Sequence, residues 1–190
     1  MSNSNKSLMY KIGTVEIIAF VIGVLLMMGI YKFILSGEYF EGEVAKMIVS
    51  AALVVFFASL FGPATGMLTG YLGVMCSLSI CNIPVDYIGA ACYAILGLIV
   101  GLFANRFLIR EGQTEIKQIV GWNLIHVAAL ISTFVFIMPF LYFIVHDGNL
   151  FEFTSLGIYI FKVCAFPIGI AYSIIFFLIS RVFRYVKCRS

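Results

Sequence analysis

The sequence predicts an all-α membrane protein, a six-transmembrane-helix bundle with both termini cytoplasmic. Three observations predict it. Hydrophobic residues make up 63% of the 190-residue chain and charged residues 11%, against about 45–50% and about 25% in soluble domains. The apolar residues fall into continuous blocks near the length a helix needs to cross a bilayer, about 20 residues. The charges are sorted by loop. Only helices and closed barrels satisfy every backbone polar group inside lipid, and continuous rather than alternating blocks mean helices.

The first span covers about 12–35. It is too long for a signal-peptide core and no small-x-small cleavage site follows it, so it reads as a retained helix. The second covers about 44–61 and the third 63–81. Pro63 opens the third directly after a tight turn at Gly62, since the first helical turn does not need the missing N–H. The fourth covers about 86–108, the fifth 118–145 and the sixth 154–183. The last two exceed the bilayer thickness, which implies tilt or extension past the surface. The whole chain, 1–190, reads as one integral membrane domain.

Six spans put both termini on one side. That side carries Lys6, Lys11, Arg106, Arg110, Lys117, Arg181, Arg184, Lys187 and Arg189. The opposite loops hold Lys32 and Lys46 against Glu38, Glu41, Glu43, Asp86, Asp147 and Glu152. A Lys/Arg excess marks the cytoplasmic face, so the acidic loops face out. This rule accounts for the net charge of +3, and the basic tail indicates no nucleic-acid partner.

Gly62, Gly66 and Gly70 recur every fourth residue and share a helical face. In lipid, close backbone approach through small residues supplies helix packing. Gly97 and Gly101 in span four belong to the same class. Ala19 and Gly23 in span one form a further strip, which faces either a neighbour within the chain or a partner protein.

Polar and aromatic residues gather at the outer face: Tyr39 and Phe40 in the first loop, Glu43 and Lys46 at the start of span two, Asn82 before span four, then Asp86, Tyr87 and Tyr93. Flat apolar walls with a few orienting polar groups are what a small-molecule pocket needs. Glu43 and Lys46 alternatively form an interfacial ion pair. Lys162 lies about eight residues into span six, or about 12 Å at 1.5 Å per residue, with Tyr159 on the same face. An ammonium at that depth either snorkels outward or faces a cavity that takes a polar ligand. Asn123 and His126 share a face in the inner half of span five, suited to hydrogen bonds across helices or to a deeper pocket.

The chain has no G-x-x-x-x-G-K-[ST], H-E-x-x-H or G-x-S-x-G motif, so P-loop grip on ATP and the common hydrolase chemistries have no support. The five cysteines show no C-x-x-C spacing. No cofactor, metal or catalytic residue is expected, and the enzyme class is disfavoured. An accessory membrane protein without ligand and an intramembrane lipid-modifying enzyme are the alternatives to a binding role.

The run FGPATGMLTGYLG, 61–73, resembles the F-G-P-x-x-G-x-x-x-G-x-x-G signature of substrate-binding S components of energy-coupling factor (ECF) transporters, nearest the riboflavin-type group. The likeness continues through IGAACYAILGLIVGLF, 88–103, EIKQIVGWNLIHVAA, 115–129, and the proline of IMPFLYFI, 137–144. The resemblance spans roughly 40–185. It implies a six-helix binder that captures a vitamin or precursor at the extracellular face and docks on a transmembrane T component with two ATPase subunits. It assigns docking to the small strip of the first helix, here Ala19 and Gly23, and ligand contact to a lysine of the sixth, here Lys162. Close members carry a histidine and an acid where this chain has Val74 and Leu78, so the resemblance implies a planar heterocyclic vitamin or precursor without specifying riboflavin.

Overall fold

The computed structural model describes residues 13–36, 42–104, 116–146 and 149–165, and these are helical apart from short connections. Helix α1 is Thr14–Ser36, α2 Gly42–Phe61, α3 Pro63–Ile80 and α4 Tyr87–Ala104. Helix α5, Ile116–Leu130, runs without a break through a π-helical segment, Ile131–Ile137, into α6, Met138–His146. Helix α7 occupies 150–165 of the described residues. By length and composition, four stretches of the described residues can cross a membrane: Thr14–Ile34, Val44–Phe61, Tyr87–Ala104 and Lys117–His146. They mark a membrane-embedded protein. Helix α3 is not among them, because its glycine, threonine and serine positions lower its hydropathy. The termini, Tyr39 and Phe40, the basic residues around Arg106 and the second half of the expected sixth span lie outside the described residues.

Helix α1 begins with half of a capping box: the Gly13 N–H donates to Glu16 Oε2 at 3.0 Å. One stripe of α1 is buried, Ala19, Gly23, Met27 and Tyr31, spaced every fourth residue. Apolar side chains away from that stripe, including Ile18, Ile22, Leu25 and Phe33, are exposed. A helix apolar all round with a single packed stripe is a lipid-facing helix.

Helix α3 is central, packed on α1, α2 and α4. Its glycines bring it onto α4 main chain to main chain at three successive turns. A side chain at Gly70 would meet the Tyr93 carbonyl oxygen at 2.5 Å, one at Gly66 the Gly97 carbonyl oxygen at 2.9 Å, and one at Gly101 the Pro63 nitrogen at 2.5 Å. The expected packing role of Gly66, Gly70, Gly97 and Gly101 therefore has a specific form, an antiparallel pair too close for any Cβ. Gly62 also lies at this contact, its carbonyl carbon 2.8 Å from where a side chain at Gly101 would go, but its own missing side chain has a different reason. It stands before the helix at φ +94°, with nothing within 4 Å of where a side chain would go. Its job is conformational, in a region that only glycine enters freely. Gly62→Ala is expected to cost about 1–3 kcal/mol through backbone strain alone. Gly29→Ala, at an equally open position inside α1, is expected to be neutral or to stabilise by about 0.5–1 kcal/mol. Thermal unfolding in detergent compares the two.

Two termini between α3 and α4 are closed by local bonds. The Asn82 N–H reaches Ser79 O at 3.1 Å and the Ile83 N–H reaches Leu78 O at 3.0 Å, with Asn82 at φ 54°. This is the Schellman ending, and asparagine is among the few residues that take its left-handed position. Asp86 then caps α4, its Oδ1 accepting the Gly89 N–H at 2.9 Å.

The π-helical segment precedes Pro139. The Met138 N–H bonds to Thr133 O, five residues back, and Pro139 has no N–H. The two helical donors that would reach Phe134 O are thus both lost. Gly157 of α7 sits directly against that carbonyl, with Pro139 beside it. A glycine is required there because a side chain would overlap the Phe134 oxygen.

Candidate ligand site at the Asp86 end

The end of the bundle where α3 finishes, α4 starts and α6 meets α7 collects polar and aromatic groups. Asp86 uses its second carboxylate oxygen to accept the Tyr142 hydroxyl. One side chain therefore caps α4 and ties it to α6. The Tyr142 ring stacks with two others, His146 at 5.6 Å and 26°, and Phe153 at 5.3 Å and 29°. Asn149 holds the start of α7, its Oδ1 accepting the Phe151 N–H at 3.0 Å. An aromatic shelf with one carboxylate at its edge results. It can stack a planar ring and accept hydrogen bonds from it.

Asp86→Ala removes both the cap and the α6 tie, and is expected to cost about 2 kcal/mol. Tyr142→Phe removes only the tie, and Asp86→Asn keeps an N-cap acceptor; each is expected to cost about half as much. Chemical denaturation in detergent ranks the three. Equal losses would show that the cap and the tie are not separable.

Below this shelf lies a buried layer. Tyr93 packs edge-on against Phe134, centroids 5.3 Å apart. The Tyr31 hydroxyl shares a 2.5 Å hydrogen bond with Ser50 Oγ, joining α1 to α2. Lys46, one turn before Ser50 on α2, is 6% exposed.

The structure brings Asp86 and the Tyr93 layer to one end of the bundle. Tyr87 is there too, but 63% exposed. Asn82 is accounted for by the helix ending described above. Lys162 and Tyr159 are exposed. Their helix packs through Gly157, Ile160 and Cys164, which are buried. Glu43 begins α2, and its side chain lies outside the described residues, as do Tyr39 and Phe40. Ala19 and Gly23 face into the chain: a side chain at Gly23 would meet Thr69 at 3.0 Å and Phe57 at 3.2 Å. Of the two alternatives for that strip, the structure fills the one with a neighbour in the same chain. In α5, Asn123 Nδ2 donates to Ile119 O of its own helix at 3.1 Å, and His126 lies buried with its ring 5.2 Å from Trp122. Among the described residues no three His, Cys, Asp or Glu side chains come together as metal ligands.

Sequence reasoning missed Tyr142, His146 and Phe153. The signal was present: Tyr142 and His146 are four apart at the end of an apolar run and share a face.

Fold and site define a helical membrane protein with an aromatic, acid-edged cluster at one end. No family model and no solved structure matches the chain. Among curated proteins it is similar to several titled UPF0397 protein. One from Streptococcus sanguinis is 32% identical over 77 residues, 40% of this chain and 43% of the relative. One from Lactobacillus johnsonii is 27% identical over 86 residues, 45% and 46%. One from Lacticaseibacillus casei is 29% identical over 92 residues, 48% and 49%. The chain thus matches a little under half the length of these curated relatives, and their title states no activity.

Proposed function

We propose that this chain is the substrate-capture S subunit of an ECF-type vitamin uptake transporter in a prokaryotic plasma membrane. It spans the membrane six times with both termini in the cytoplasm, and the Asp86 end faces out. It binds a small planar vitamin or precursor there and depends on a T component and two ATPase subunits for release. It is not an enzyme. The observation that carries this reading is the Tyr142 shelf. Three stacked rings and a carboxylate crown a bundle whose next layer, Tyr93 and Phe134, is also aromatic, which is the surface a planar solute needs. The absence of a P-loop from the sequence suits a receptor powered by partners. Since α3 and α2 occupy the Ala19–Gly23 strip, the T component is assigned the exposed face of α1 around Ile18, Ile22 and Leu25.

Native mass spectrometry of the detergent-purified protein tests capture. A bound small molecule with a planar ring is expected. Protein that carries nothing, from cells grown in rich medium, would favour the accessory reading. Reporter fusions at both termini test orientation, and cytoplasmic signals are expected from each.

A further inference from the structure

We infer that the captured molecule carries a positive charge, on an amine or a cationic ring nitrogen, and that Asp86 is the residue that meets it. This rests on the capture reading and adds the substrate's charge to it. The polar edge of the Tyr142 shelf is made of acceptors. The Tyr142 hydroxyl commits its proton to Asp86 Oδ2, so its oxygen meets any further partner as an acceptor. Asp86 Oδ1 takes the Gly89 N–H at 2.9 Å. An ionised carboxylate has about four lone-pair sites, and these two bonds leave the others unused. Asp86 is exposed, so its carboxylate is reached from outside the bundle and no interior cavity is needed.

The charge on Asp86 is also uncompensated. Among the described residues no lysine or arginine pairs with it. The chain's remaining bases fall in segments that the charge pattern assigns to the opposite face. The rings beside it suit a cation. Tyr142 carries His146 and Phe153 as stacked neighbours. Tyr87, next to Asp86 in the sequence, is 63% exposed and touches no other ring among the described residues. Aromatic faces attract a cation, and the carboxylate fixes where it stops. A carboxylate or phosphate ligand would meet acceptors and like charge at this edge. A neutral ring could stack there but would leave the carboxylate unanswered. An amine-bearing phospholipid headgroup has the same chemistry as a soluble amine. The inference commits to the soluble molecule, since uptake needs a solute that can be handed on.

The test is native mass spectrometry of the full-length protein in detergent, followed by denaturation and identification of what is released. Wild type, D86N and E152Q are compared, each after gel filtration. Wild type is expected to release a water-soluble planar molecule with a cationic nitrogen. D86N keeps an acceptor for the α4 cap and removes the charge. It is expected to carry at least about tenfold less, the loss of one charge-assisted contact. Glu152 is exposed in the first turn of α7, and E152Q, which removes the same charge there, is expected to stay within about twofold of wild type. A neutral or anionic solute, undiminished loading of D86N, or equal losses for D86N and E152Q would overturn the inference while leaving capture intact. Release of nothing from wild type, or of an amine phospholipid alone, would remove the capture reading as well. Should D86N not yield monodisperse protein, the wild-type ligand decides alone: a cationic solute sustains the inference and a neutral or anionic one ends it.

Discussion

Gly97→Ala is expected to lower the unfolding midpoint in detergent by about 6–12 °C, from a loss of about 3 kcal/mol. The added methyl would fall on the Gly66 carbonyl group of the facing helix and reach the Met67 nitrogen at 2.9 Å. Backbone cannot rotate out of the way as a side chain can, so α3 and α4 must part or shift. Parting also removes dispersion contacts along the neighbouring turns, where Gly70 faces Tyr93 and Gly101 faces Pro63. Leu102→Ala on the exposed face of α4 is the control, with a shift of at most about 1–2 °C expected. Equal shifts for the two variants would show that the helices do not approach at backbone distance.

The second large effect is expected at Gly157. Alanine there would place its methyl against the Phe134 carbonyl, beside Pro139. The π-helical segment has already deprived that oxygen of its helical donors, and the glycine Cα–H is the neighbour that approaches it. Gly157→Ala is expected to displace α7 from α6 while leaving the α1–α4 unit folded. Hydrogen exchange reads this directly: protection should fall across 150–165 and persist in α3 and α4. A uniform loss of protection would mean that α7 is an equal part of one cooperative unit, and no loss would place the helix elsewhere.

Much of the fold is legible because lipid leaves the chain few options. Continuous apolar blocks report helices, and the boundaries at Gly62-Pro63 and at Asp86 follow from local chemistry. Proline opens α3, and an aspartate caps α4. The glycine face was readable as packing, but its partner was not, since period alone does not say which helix is opposite. Gly62 shows the limit. Its spacing from Gly66 suggests a shared face, whereas its positive φ puts it in the turn. The π-helical segment was not readable as such. Pro139 signals a disturbed helix, and only three-dimensional contact with Gly157 shows how the freed carbonyl is accommodated. At the site, Asp86 and Tyr93 were accessible as polar or aromatic residues near a span end. The Tyr142–Asp86 bond joins residues 56 apart in sequence, and no local pattern encodes it. The two lysines make the same point. Both lie in apolar segments, and burial distinguishes Lys46 from Lys162 only once the helices are assembled.

The three-turn apposition of α3 and α4 has a mechanical consequence. With main chain seated against main chain at Gly66–Gly97, Gly70–Tyr93 and Pro63–Gly101, neither helix can slide by a small increment. The next matching register is a full turn away, about 5.4 Å. The pair is an incompressible spine, and any opening of the bundle is left to the helices packed around it.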